Sequence, residues 1–146
     1  MKPRLMQAII GGLAGTIVMT LMMYFVAPMM MGGPMDVAAM LGDMMGMSNT
    51  VGMIVHFLLG ALAFPALFAL VLWDKLPGDS WMKGLVFGMA LFLIAQAVVM
   101  PMAGAGVFSA NHPEQMMAVL GSLVGHALYG LILGWWLGKG VAAGAA

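Results

Sequence analysis

The sequence predicts an all-α integral membrane four-helix bundle made of two duplicated parallel hairpins. Three observations carry that expectation: a charge content far below that of soluble domains, four long uncharged stretches, and a repeat of Gly, Pro and His at fixed spacing. Of 146 residues, 64% are hydrophobic and 7% charged, with a mean hydropathy of +1.08, whereas soluble domains carry about a quarter charged residues. The five basic and five acidic residues cancel, which leaves no basic field for nucleic acid. The chain has no cysteine, so disulfides, thiolate metal sites and cysteine nucleophiles are excluded.

Leu5–Met35, Met44–Trp73, Gly84–Pro113 and Gln115–Gly138 are free of charge, and each exceeds the roughly 20 apolar residues that a helix needs to cross a bilayer. Period-2 alternation is absent, and unpaired backbone in lipid permits only helices or closed barrels. The spacing therefore predicts spans at about 6–30, 50–73, 82–104 and 114–138 in a single transmembrane domain. The first stretch is too long for a secretory h-region of about 7–15 residues and is read as retained.

Pro34 to Gly42 reads as a short helix in the membrane interface, extending over about 34–46, with proline in the first turn, Asp36 at the positive end and Gly42 at the stop. Pro113 to Gly121 has a similar grammar but should run straight on into the fourth span. Leu76 to Ser80 is a tight turn by composition. Pro65 removes an amide from the second span, and should release the carbonyl of Ala61 and kink the helix just past His56.

Lys2, Arg4, Lys75, Lys83 and Lys139 all fall on one side of this arrangement. By the positive-inside rule both termini are cytoplasmic, and Trp73, Trp81, Trp135 and Trp136 would anchor at that boundary. Asp36, Asp43, His112 and Glu114 would face outside.

Gly11-x-x-x-Gly15 followed by Val26-Ala-Pro28 recurs 73 residues later as Gly84-x-x-x-Gly88 followed by Val99-Met-Pro101. At an offset of 70, Gly52-x-x-x-His56-x-x-x-Gly60 matches Ser122-x-x-x-His126-x-x-x-Gly130. Two spans per unit give both copies the same orientation, about an axis along the membrane normal. Together with the GLAGTIVMT, PMDVAAMLG, HFLLG and GSLVGHALYG segments, this pattern resembles an uncharacterised family of small four-helix bacterial inner-membrane proteins. The resemblance implies the fold and a bacterial origin, and no activity.

His56 and His126 are ionisable groups inside spans, where such residues are rare and functional by default. Gly52, Gly60, Ser122 and Gly130 flank them one turn away and would leave room for a flat macrocycle. Haem b held by paired histidines, in an electron-transfer protein or subunit, is the first reading. Thr20 and Gln96 lie at depths suited to orienting the outer ring nitrogens. Histidines on small-residue ridges can also simply bond across an interface. The ridge Gly130-x-x-x-Gly134-x-x-x-Gly138 suggests a second reading, an accessory or structural subunit that packs against its own copies or a larger complex.

A third reading comes from methionine. Sixteen of the twenty methionines lie toward the outer side, and thioethers are soft ligands that select Cu(I). Met29, Met31, Met44, Met45, Met47, His112, Met116 and Met117 would form a copper-capture surface in an uptake or relay protein. Methionine is equally a flexible filler of apolar contacts. No Ser/His/Asp spacing or phosphate loop suggests an independent enzyme.

Overall fold

The computed structural model describes residues 3–33 and 35–143. Among these residues, four helices are long and apolar enough to cross a membrane, as in a multi-pass membrane protein. In chain order they are α1 (3–31), α3 (49–72), α4 (80–102) and α5 (Gln115–Ala143), with the short α2 (Val37–Met44) between the first two. Their outward faces are apolar: Leu13, Ile17, Leu21 and Phe25 form an exposed stripe on α1, and Ile54, Leu58 and Leu62 form another on α3. Such stripes suit hydrocarbon and would be a liability in water. α5 runs on to Ala143, beyond the expected end near 138.

The helices pack in the order α3, α1, α5, α4, and glycine sets the close approaches. A Cβ at Gly84 would overlap the Gly130 carbonyl, one at Gly88 the His126 carbonyl and one at Gly134 the Ser80 carbonyl. α4 and α5 therefore touch backbone to backbone. Gly11 and Gly15 let α1 lie against Trp136 and Tyr129 of α5 in the same way. Toward the end where the chain starts and finishes, Phe68 of α3 stacks on Phe87 of α4 at 4.9 Å. Leu133, Leu137 and Ala8 complete this core.

Trp73 corrects one expectation. It is buried in the core, edge-on to Phe68, with the Lys83 ammonium over its ring at 4.9 Å; Trp81 and Trp135 are the half-exposed indoles that suit a headgroup boundary. Another correction concerns the short helix. Asp36 is its N-cap, with Oδ1 accepting the Ala39 N–H at 2.9 Å, and Pro34 lies outside the described residues. Gly42 does not stop it; the helix continues to Met44, while Gly42 packs on the Ser48 backbone.

Four wide, π-helical turns interrupt the long helices among the described residues. One, Phe68–Leu72, closes α3; the others, Met22–Val26, Leu59–Ala63 and Ala95–Val99, each end two residues before a proline: Pro28, Pro65 and Pro101. A proline ring clashes with the carbonyl four residues back and lacks an amide; widening the preceding turn takes up the misfit. In α3 the Phe64 N–H bonds to the Leu59 carbonyl, so the next carbonyl in that register, Gly60, faces Pro65. The Tyr129 hydroxyl donates to it at 2.6 Å. The carbonyl with the substitute donor is thus Gly60, not the expected Ala61. In α1 the equivalent carbonyl, Met23, accepts the Met35 N–H at 3.3 Å.

Candidate functional site

Above the aromatic core the helices diverge around a cavity of about 600 Å³, lined by residues of α1 to α5. All three proline-driven π turns contribute to its wall, through Met22, Met23 and Val26, through Leu59 and Gly60, and through Ala95 and Val99. His56 and His126 both line it, as do Gly60 and Ser122. The two histidines stand at one level. His56 meets Thr20 of α1, and Gly125, beside His126, packs on Met19, the preceding residue of the same helix. α5 achieves this by starting at Gln115, more than two turns before Gly125.

Hydrogen bonds assign the ring nitrogens. The Thr20 hydroxyl spends its one hydrogen on the Thr16 carbonyl at 2.7 Å. It therefore accepts from Nε2–H of His56 at 3.0 Å, which leaves the lone pair on Nδ1. The Ser122 carbonyl can only accept, so Nδ1–H of His126 donates to it at 2.8 Å and the lone pair lies on Nε2. In both rings a fixed N–H on one side leaves a basic nitrogen on the other, the arrangement that orients imidazole ligands.

Thr20 stands where the sequence suggested. Gln96 does not reach a histidine: its Oε1 accepts from the Ser109 hydroxyl at 3.0 Å, and its buried Nε2 has no partner among the described residues. The helix carbonyl of Ser122, invisible to residue-type reasoning, does that work for His126. The glycine ridges are also spent. A Cβ at Gly52 would overlap the Ala38 carbonyl of α2, one at Gly60 the Thr16 side chain and one at Gly130 the Gly84 carbonyl. The room expected for a macrocycle beside these residues is filled by neighbouring helices. Gly138 likewise packs on Ser80, so the Gly130, Gly134 and Gly138 ridge is covered by α4 and leaves no seam for a partner.

The methionines divide in two. Met29, Met44, Met45, Met47 and Met116 are exposed, Met29 by 86%, and Met117 is half-buried. The side chain of Met31 lies outside the described residues. His112 is engaged in its own turn, with Nδ1 accepting the Glu114 N–H at 3.0 Å. A different set lines the cavity: Met19, Met22, Met23 and Met30 of α1, Met35 and Met40 around α2, and Met100 of α4. No charged side chain lines it among the described residues. Among those residues there is also no cluster of three His, Cys, Asp or Glu able to hold a metal ion; any soft-ion site here is one of imidazole and thioether. Sequence reasoning missed this set because it grouped methionines by adjacency along the chain. The signal was the proline after each of the three wide turns that line the cavity.

The model of DUF6789, a family of unknown function, matches residues 3–142 of this chain. No curated protein and no solved structure matches it.

Proposed function

The chain belongs to this family, and from that premise we propose that it is a multi-pass protein of a bacterial inner membrane, both termini cytoplasmic, that binds Cu(I) inside its cavity. The observation that carries the reading is the ligand set: two neutral imidazoles, their N–H groups held by Thr20 and Ser122, sharing one cavity with seven thioethers. Charge narrows the ion. Burying an uncompensated charge is expensive, and hard divalent cations need several oxygen ligands. The least costly occupant is a monovalent soft ion, which neutral sulfur and nitrogen can satisfy. The family resemblance and the basic residues at the termini side support the location and orientation. The two hairpins read as copies of one unit, a reading supported by π turns at Met22–Val26 and Ala95–Val99, the same 73 residues apart as the glycines and prolines.

Haem b with electron transfer is the second reading. His126 favours it, since an Nδ1–H bonded to a helix carbonyl with Nε2 left basic suits an axial ligand. For the same iron, His56 would have to surrender the Nε2 that Thr20 holds. Copper accepts either nitrogen, which ranks it first.

Protein purified in detergent and titrated anaerobically with Cu(I) against a competing chelator tests the reading. Wild type should compete, and His56→Ala and His126→Ala should each weaken binding at least tenfold. Equal binding by all three removes the copper reading. A Soret band in protein expressed with ample haem, lost in both variants, would put haem in its place.

A further inference from the structure

A second pocket, of about 460 Å³, lies at the α2 end of the bundle, away from the termini. Met40, Asp43 and Met44 of α2 line it together with Met102 and Ala103 at the end of α4. Residues three and four apart share a helix face, so α2 presents two thioethers and a carboxylate side by side. Met102 adds a third thioether from another helix. This set differs from the cavity in one respect: it contains an acid. A single carboxylate matches the charge of a monovalent cation, while the thioethers select a soft one. Met40 lines both spaces, so one side chain with three rotatable bonds is common to the pocket and the cavity.

We infer that this pocket is a loading site for Cu(I), where Asp43, Met44 and Met102 take the ion at the membrane surface and Met40 passes it inward. The inference rests on the copper reading of the cavity. Transfer is ligand exchange alone: a thioether–copper bond breaks as another forms, the ion stays Cu(I), and no proton or electron moves. Asp43 stays at the surface, so it draws in a cation without placing a charge in the bilayer-embedded wall.

The test uses the whole protein in nanodiscs, with Cu(I) and, as a probe that cannot be oxidised under the same conditions, Ag(I). Met44→Leu/Met102→Leu and Asp43→Asn alter exposed side chains and should leave the fold intact, which circular dichroism checks. The expected result is that the double variant binds one equivalent fewer than wild type and fills the cavity at least tenfold more slowly, with the affinity of the remaining site unchanged. Asp43→Asn should slow loading in a salt-dependent manner. The same stoichiometry and loading rate in wild type and double variant would overturn the loading site. His56→Ala/His126→Ala separates the two ideas. If it keeps the surface ion and loses the inner one, both stand; if it binds as wild type does while the methionine variant loses an ion, the cavity reading fails and the surface site remains.

Discussion

Tyr129→Phe removes a single oxygen from the centre of the bundle, and its cost can be worked out from the hydrogen bonds. The hydroxyl donates to the Gly60 carbonyl at 2.6 Å, and Tyr129 is 3% exposed. Interhelical bonds in membrane proteins average only about 0.6 kcal/mol, because a released group usually finds another partner. Gly60 lacks that escape. The residue opposite it in the wide turn is Pro65, which has no amide, so the carbonyl would be left buried and unsatisfied at about 1–3 kcal/mol. The ring itself, packed against Gly15, is retained. Pro65→Ala restores an amide to the turn, so in that background the cost of Tyr129→Phe should fall toward the ordinary 0.6 kcal/mol or so. The coupling between the two positions is then about 0.4–2.4 kcal/mol, most of which lies in the range that double-mutant cycles resolve. Reversible unfolding in mixed detergent–SDS micelles, followed by circular dichroism, gives all four free energies. Equal cost of Tyr129→Phe with and without Pro65 would refute the argument that the hydroxyl replaces a missing helical donor.

Gly134→Leu should cost at least 1–3 kcal/mol, the usual range for overpacking, by forcing α4 from α5 at Ser80 and Gly84; the loss should appear as reduced folded yield of the monomer, read by size exclusion and the same SDS titration, with no partner released. Thr20→Val deletes the acceptor that fixes His56 and should weaken Cu(I) binding severalfold to tenfold without changing helicity, a loss smaller than that of His56→Ala. For orientation, thiols introduced as Asp36→Cys, Asp43→Cys and His112→Cys should react with an impermeant maleimide in intact cells, and Lys75→Cys and Lys139→Cys only after permeabilisation; the opposite pattern would invert the topology. Arg4→Gln breaks an exposed ion pair with Asp74, 2.8 Å long, and should change stability by less than about 1 kcal/mol.

How far the sequence was legible follows from what kind of information each feature needs. Four apolar helices could be read because the bilayer imposes a length and forbids charge, two properties visible in composition. His56, His126 and Thr20 were legible because polar side chains in such spans are few. Gln96 was misread because a depth estimate cannot say which way a side chain turns; here it turns to Ser109, held in a left-handed backbone at φ 53° within the loop after α4. Gly52, Gly60 and Gly130 were recognised as places needing little bulk, but a glycine does not announce what approaches it. In each case the neighbour was another helix of the same chain. Trp73 was read from its position at the end of a span, which does not say that its ring turns inward onto Phe68. The cavity could not be read at all from side-chain types, since its walls come from five helices and its width from turns that a 3.6-residue period does not contain.

Each π turn also resets the angular phase of its helix. Leu13 and Met29 are sixteen residues apart in sequence, and at about 100° per residue an unbroken α-helix would set them roughly 160° apart, on nearly opposite sides. Both are exposed on α1. The wide turn at Met22–Val26 absorbs one residue without advancing the wheel, which takes back about 100° and leaves the two about 60° apart on one lipid-facing side. The turn is thus a phase shifter, equivalent to a single-residue insertion that lets one helix match a glycine seam below and a thioether wall above. Deleting one residue there would turn the wide turn into an ordinary α-helical one and leave the side chains after Val26 on the faces they now occupy, whereas winding the present sequence as an unbroken α-helix would swing them by about 100°.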